Sequence, residues 1–282
     1  MTPADLLENR GRFAVGKKGV GEFSVLNFFC AHHDQEIFSH IENDELIFDH
    51  YQLALLHYRA MGAELYKKMN GLETARRQSL ALQARGDQEK WQLAKSYELG
   101  SELGLRDMTR TFSACELILA NREYKRVHAL IVRFTKMPTI MTVGGFSPEF
   151  DYDGRLLQRL GKATSVYEQI GLSILAAEGR AAIVFTWLAC ATVCREFAES
   201  FVRQNTALFT TLAIQTAFEH VENTCMKICW WDALRSIERE KLLERMQYAG
   251  SPFEDRTGGC LQFCGVNFDQ WEYDNSVLIA ES

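Results

Sequence analysis

Ala181-Ala182-Ile183-Val184-Phe185-Thr186-Trp187-Leu188-Ala189-Cys190 is the chain's best candidate for a membrane-crossing stretch. Arg195 and Glu196 follow it closely, so the run is too short to cross a bilayer. Read together with the residues behind it, Ala181 to Phe201 makes a helical segment of a water-soluble protein. Helical text also fills Asp34 to Asn70, where Ile37, Ile41, Phe48, Leu53, Leu56 and Leu65 recur among polar residues. It continues through a charge-rich stretch from Glu73 to Leu103, through Leu105 to Thr135, and from Leu156 to Ala177. Thr206 to Arg235 and the shorter Glu238 to Tyr248 complete it. Pro138 ends one run, ahead of a loop at Thr142-Val143-Gly144-Gly145-Phe146-Ser147-Pro148. With only four prolines and no alternating strand pattern of useful length, the expectation is a single all-α domain built as a helical bundle.

The chain has 282 residues, 47% of them hydrophobic and 24% charged, which is ordinary for a soluble globular protein with a large core. Its net charge of −6 and the lack of a basic run interleaved with aromatics argue against nucleic acid as a partner and for a small molecule. Asp5 and Glu8 near the start break any basic-then-apolar export pattern, which points to a cytoplasmic location. Residues 1–23 read as a flexible basic arm, with glycines among Arg10, Arg12, Lys17 and Lys18, and 24–282 as the folded domain. Oligomeric state stays open.

Eight cysteines in a reducing compartment suit thiol, metal or packing roles. Cys190/Cys194, Cys225/Cys229 and Cys260/Cys264 are C-x-x-x-C pairs, each sharing a face if helical. Structural zinc favours closer spacing, so the first two pairs read as core and zinc as a minor alternative. The third directly follows Arg256-Thr257-Gly258-Gly259 and lies forty residues beyond His220. An imidazole on a helix can ligate haem iron and a thiol can bond to the porphyrin rim.

Further segments fall in order around this pair. His33-Asp34-Gln35-Glu36-Ile37-Phe38, Glu116-Leu117-Ile118-Leu119-Ala120-Asn121-Arg122, His220 and Arg256-Thr257-Gly258-Gly259 follow one another along the chain. In that order they resemble the tryptophan 2,3-dioxygenase-like superfamily of haem-dependent aromatic oxygenases. The resemblance implies an all-α haem-enclosing bundle with His220 as proximal ligand, His33 or His40 as distal base, and Thr257, Gly258 and Gly259 around the substrate. Gln35 replaces a family glutamate, and Ser113 stands where the tryptophan enzymes carry a carboxylate-binding arginine. Arg256 can supply that charge. The gap to Cys264 is similar to that of the tyrosine and 3-methyltyrosine hydroxylases of antibiotic biosynthesis, although Cys260 replaces a second histidine. The resemblance therefore implies ring hydroxylation of tyrosine or 3-methyltyrosine with hydrogen peroxide or O2, on a histidine-ligated haem with a thioether to Cys264 or Cys260. The alternatives are a tryptophan-type oxygenase and a non-catalytic haem- or zinc-binding helical protein.

Overall fold

The computed structural model describes residues 15–17, 19, 28–161, 164–249 and 256–280. Its helices are α1 (Ala31–Glu42), α2 (His50–Ala84), α3 (Gln88–Asn121), α4 (Thr192–Val202), α5 (Phe209–His220), α6 (Ile228–Ala233) and α7 (Ser236–Ala249). Its strands are β1 (Val127–Phe134), β2 (Ile140–Phe146), β3 (Ile170–Ala177), β4 (Arg180–Leu188), β5 (Thr224–Met226) and β6 (Tyr273–Ile279). They form one antiparallel sheet in the order β5-β2-β3-β4-β1-β6. The all-α expectation is therefore wrong: the fold is mixed α/β, a six-stranded sheet between helical layers.

The stretch Ala181–Leu188 shows why. It is β4, a central strand buried on both faces, and such a strand reads as a continuous apolar run instead of an alternating one. Ile183, Phe185 and Trp187 point into a core shared with Phe197 and Phe201 of α4 and Phe209 of α5. Ala182 and Val184 point the other way, against Leu53, Ala60 and Met61 of α2. Truncating Phe185, wholly buried between Phe197 and Phe201, would cost about 3–5 kcal/mol. The preceding Glu178-Gly179 takes positive φ at both residues (49° and 75°) between paired Ala177 and Arg180, the two-residue turn that suits the twist of a hairpin.

Helix α2 lies close on the sheet because the strands beneath it carry glycine. A Cβ on Gly145 would sit 2.6 Å from Met61 Cε, and one on Gly171 would sit 2.6 Å from Thr186 Oγ1 and 3.2 Å from Ala60 Cβ. The Gly144-Gly145 pair expected in a loop is thus the middle of β2.

Helices α2 and α3 form an antiparallel hairpin. Asp49 and Asp87 cap their N-termini through the N–H groups of Gln52 and Lys90. The less exposed positions recur every three or four residues, as in Leu72, Ala75, Ser79 and Leu82 of α2 and Trp91, Ala94, Glu98, Ser101 and Leu105 of α3. At 35 residues α2 is about 52 Å long, against about 26 Å for an eight-residue strand such as β1. The hairpin therefore outreaches the sheet, and α3 has no fully buried residue before Asp107. Of the arm assigned to residues 1–23, only Val15–Lys17 and Gly19 fall among the described residues. Among those residues no helix is long and apolar enough to cross a membrane.

Candidate functional site

A cleft of about 1610 Å³ runs between the α2–α3 hairpin, the β2 side of the sheet and the end of α5. Helix α5 carries no charge before Glu219 and is buried from Phe209 through Glu219, ending at His220 beside β2. Phe218, Glu219 and His220 line the cleft together with Phe146, Trp231 and Arg256.

The His220 ring lies flat on Phe146, with centroids 4.2 Å apart and planes within 4°. Both ring nitrogens are closed off from solvent and neither has a hydrogen-bond partner. Burial, and then the positive charges of Arg256 and Arg245, hold its pKa well below the ordinary histidine value, so the imidazole is neutral at pH 7.

Glu219 is buried, and its Oε2 accepts a hydrogen bond from Arg245 Nη1 at 3.4 Å. Its Oε1 lies 3.6 Å from Arg256 Nε, an ion pair too long to be a hydrogen bond. Burial raises the Glu219 pKa, and the two arginines oppose that rise. Those arginines have different surroundings. Arg245 also donates to the carbonyl of Cys260 and does not line the cleft, whereas Arg256 does. The cluster thus sets a cation at the cleft, backed by a neutral imidazole and a carboxylate whose unpartnered polar atoms are buried, against an apolar wall of Phe146, Phe218, Trp231 and Met246.

Of the residues expected to act together, the structure brings His220 and Arg256 to one wall and sets Cys260 behind them. Burial, chiefly, pushes the Cys260 thiol up to about 11, the opposite of a reactive thiolate. Cys264 is half-buried: its N–H donates to Gln215 Oε1 at 3.2 Å and its carbonyl accepts from Lys241 Nζ at 3.0 Å. The Thr257 carbonyl closes a turn by accepting from the Cys260 N–H at 3.0 Å. Gly258 packs against the turn at Gly154 so tightly that a Cβ would sit 2.5 Å from the Gly154 carbonyl oxygen. Thr257, Gly258 and Gly259 do not line the cleft. His33 is exposed, its Nδ1 3.1 Å from Cys30 Sγ, and His40 is exposed and paired with Asp44 at 2.7 Å. Neither lines the cleft.

These positions do not suit a haem on His220. Axial ligation needs an in-plane nitrogen open to the iron, and protein atoms close off both nitrogens. No step is derived through that group. All eight cysteines are free, and among the described residues no three of the His, Cys, Asp and Glu side chains are grouped to hold a metal ion. Sequence reasoning missed Glu219, Arg245 and Phe146. Glu219 carried a usable signal as the single acid in the otherwise uncharged Phe209–Glu219 run, while Arg245 sits in a charged segment where nothing distinguishes it. Comparison with protein-family models, curated proteins and solved structures found no match.

Proposed function

We propose that the cleft binds a small organic acid with an apolar body, the acid group on Arg256 and the body against Phe146, Phe218 and Trp231. One observation carries this reading. Glu219 Oε1 and both His220 nitrogens, on consecutive residues at the wall of one cleft, are buried without hydrogen-bond partners. Each such group costs about 1–3 kcal/mol, and native proteins keep few of them away from functional sites. An acid that draws Arg256 off Glu219 uncovers the imidazole, whose depressed pKa leaves it neutral and able to accept a proton. Acid–base turnover of the bound acid is the activity this arrangement supports, and aromatic amino acids belong to the ligand class.

The test is titration of 15N-histidine-labelled protein with a panel of aromatic and aliphatic carboxylates. A ligand should move the His220 ring signals and bind at least about tenfold more weakly to Arg256→Met, the loss of about 1.4 kcal/mol of charge-assisted binding. If no carboxylate moves those signals, or if Arg256→Met binds equally well, the proposal fails. An absorption spectrum decides the haem hydroxylase alternative: a Soret band in purified protein would put haem ahead of the acid–base reading.

A further inference from the structure

An acid group on Arg256 places the head of the ligand and leaves the form of its body open. The cleft holds about 1610 Å³, more than the ~300–1,000 Å³ of pockets that enclose drug-sized molecules, so a compact acid would leave much of it to spare. The aromatic faces near Arg256 are already in use. His220 covers one face of Phe146, and Phe197 stands edge-on to the same ring at 5.6 Å. Phe218 and Trp231 lie parallel, their planes within 4° and their centroids 6.4 Å apart, and Trp230 leans towards Trp231 at the same distance. A planar ring between Phe218 and Trp231 would need about 7 Å, two contacts of ~3.5 Å, so the pair holds no slot for one. Beyond the rings the lining is aliphatic. Ile228 lies three residues before Trp231 on α6 and shares a side of that helix with it, Met226 ends β5, and Met246 comes from α7. Met226 and Met246 are partly buried against the core, while Ile228 is 54% exposed.

We propose that the ligand is a straight-chain fatty acid, its carboxylate on Arg256 and its chain laid past Phe218 and Trp231 to Ile228. This deepens the acid-binding reading and rests on it. A flexible chain fits along ring edges and between methionines, whose own unbranched side chains adapt to it, where a rigid ring would need a slot. Arg256 selects the acid, and the strip from Phe218 to Ile228 selects the chain. The two parts make separate demands on a ligand, so head charge and chain length can be varied one at a time.

The experiment titrates the full chain by calorimetry with hexanoate, octanoate, decanoate and dodecanoate, and with 3-phenylpropanoate. Affinity should rise about two- to fourfold with each methylene, the upper figure matching about 0.8 kcal/mol per buried CH₂, and dodecanoate should bind at least about tenfold more tightly than 3-phenylpropanoate. Dodecyltrimethylammonium, the same tail with the opposite head charge, should bind at least about tenfold more weakly than dodecanoate. Ile228→Asp puts a charge at the exposed end of the strip and should weaken dodecanoate at least about tenfold more than hexanoate. Level affinity along the series, or equal binding of 3-phenylpropanoate and dodecanoate, would overturn the proposal and leave the acid site standing. So would an Ile228→Asp protein that keeps the whole gain with chain length. Equal binding of the cationic tail would also overturn it, because apolar attraction alone would then explain the affinity. If neither these acids nor aromatic ones bind, the acid site fails and the fatty-acid proposal falls with it.

Discussion

His57 should make the protein acid-labile by a predictable amount. It sits fully buried where α2 crosses the sheet, with Nδ1 3.1 Å from Thr186 Oγ1 and Nε2 without a partner. Burial lowers its pKa from 6.5 to about 4, against the small raising effect of its hydrogen bond with Thr186. A base with a depressed folded pKa binds fewer protons folded than unfolded. Its contribution is therefore complete above pH 6.5 and is lost progressively as pH falls from 6.5 towards 4. At pH 5.0 the unfolded side chain is protonated and the folded one is not, across 1.5 pH units at 1.36 kcal/mol each, or about 2 kcal/mol. His220 shifts in the same direction, so the wild-type slope holds both contributions. His57→Phe isolates one of them. It keeps a ring in the same space and removes the titration, while its packing cost and the unpaired Thr186 hydroxyl are independent of pH. Urea unfolding at pH 7.5 and 5.0 should give a stability difference about 2 kcal/mol smaller in His57→Phe than in wild type. If the two proteins lose the same stability between those pH values, His57 is not a buried neutral base in the folded state.

Gly171→Ala should lose about 1–3 kcal/mol by overpacking against Thr186, Ala60 and His57. Gly145→Ala should lose less than half of that, because the one close clash of its new methyl is with the flexible end of Met61, the Ala60 carbonyl oxygen lying at an ordinary 3.6 Å; a reversed order in thermal unfolding would refute the packing argument. Arg245→Met leaves the Glu219 carboxylate and the Cys260 carbonyl without their buried partner. Urea unfolding should show a loss of about 3–5 kcal/mol, clearly more than Arg256→Met, and equal losses would contradict the division of roles between the two arginines. Thiol titration with Ellman's reagent should find eight reactive groups in denatured protein and rapid reaction of only exposed Cys30, Cys190 and Cys229 in the native state. A denatured count of seven would instead support a thioether at Cys260 or Cys264.

The helical character of these two long segments was legible because apolar residues recur at helical spacing, but their division was not: the text reads as broken near residues 70–73 and 103–105, whereas the helices run His50–Ala84 and Gln88–Asn121, capped by Asp49 and Asp87. The sheet was not legible, because its buried strands hide the period-two pattern. β4 is buried on both faces and shows no alternation, so short apolar text is shared between buried strand and buried helix. β2 carries Gly144-Gly145, which reads as a turn, yet both glycines lie within a strand, where a Cβ would meet Val221 on one face and the end of Met61 on the other. Glu178-Gly179 was the one local sign of a hairpin, flanked by runs of nearly equal length, Ile170–Ala177 and Arg180–Leu188.

The ordered islands failed as evidence of a bundle for a related reason. Order along the chain constrains sequence alone, and the island ending at Arg122 leads within five residues into β1, which lies second from the sheet's edge. What those islands picked out usefully was chemistry. His220 and Arg256, 36 residues apart, do meet on one wall, because α5 ends beside β2 and the chain beyond α7 returns to Glu219. The partner that makes them a cluster, Arg245, belongs to a face of α7 that only the packing of α7 on α5 reveals. A histidine and an arginine chosen for their chemistry can therefore meet on one cleft wall while the fold inferred around them is wrong. The site depends on two chain segments meeting, whereas the bundle would have required every intervening strand to be a helix.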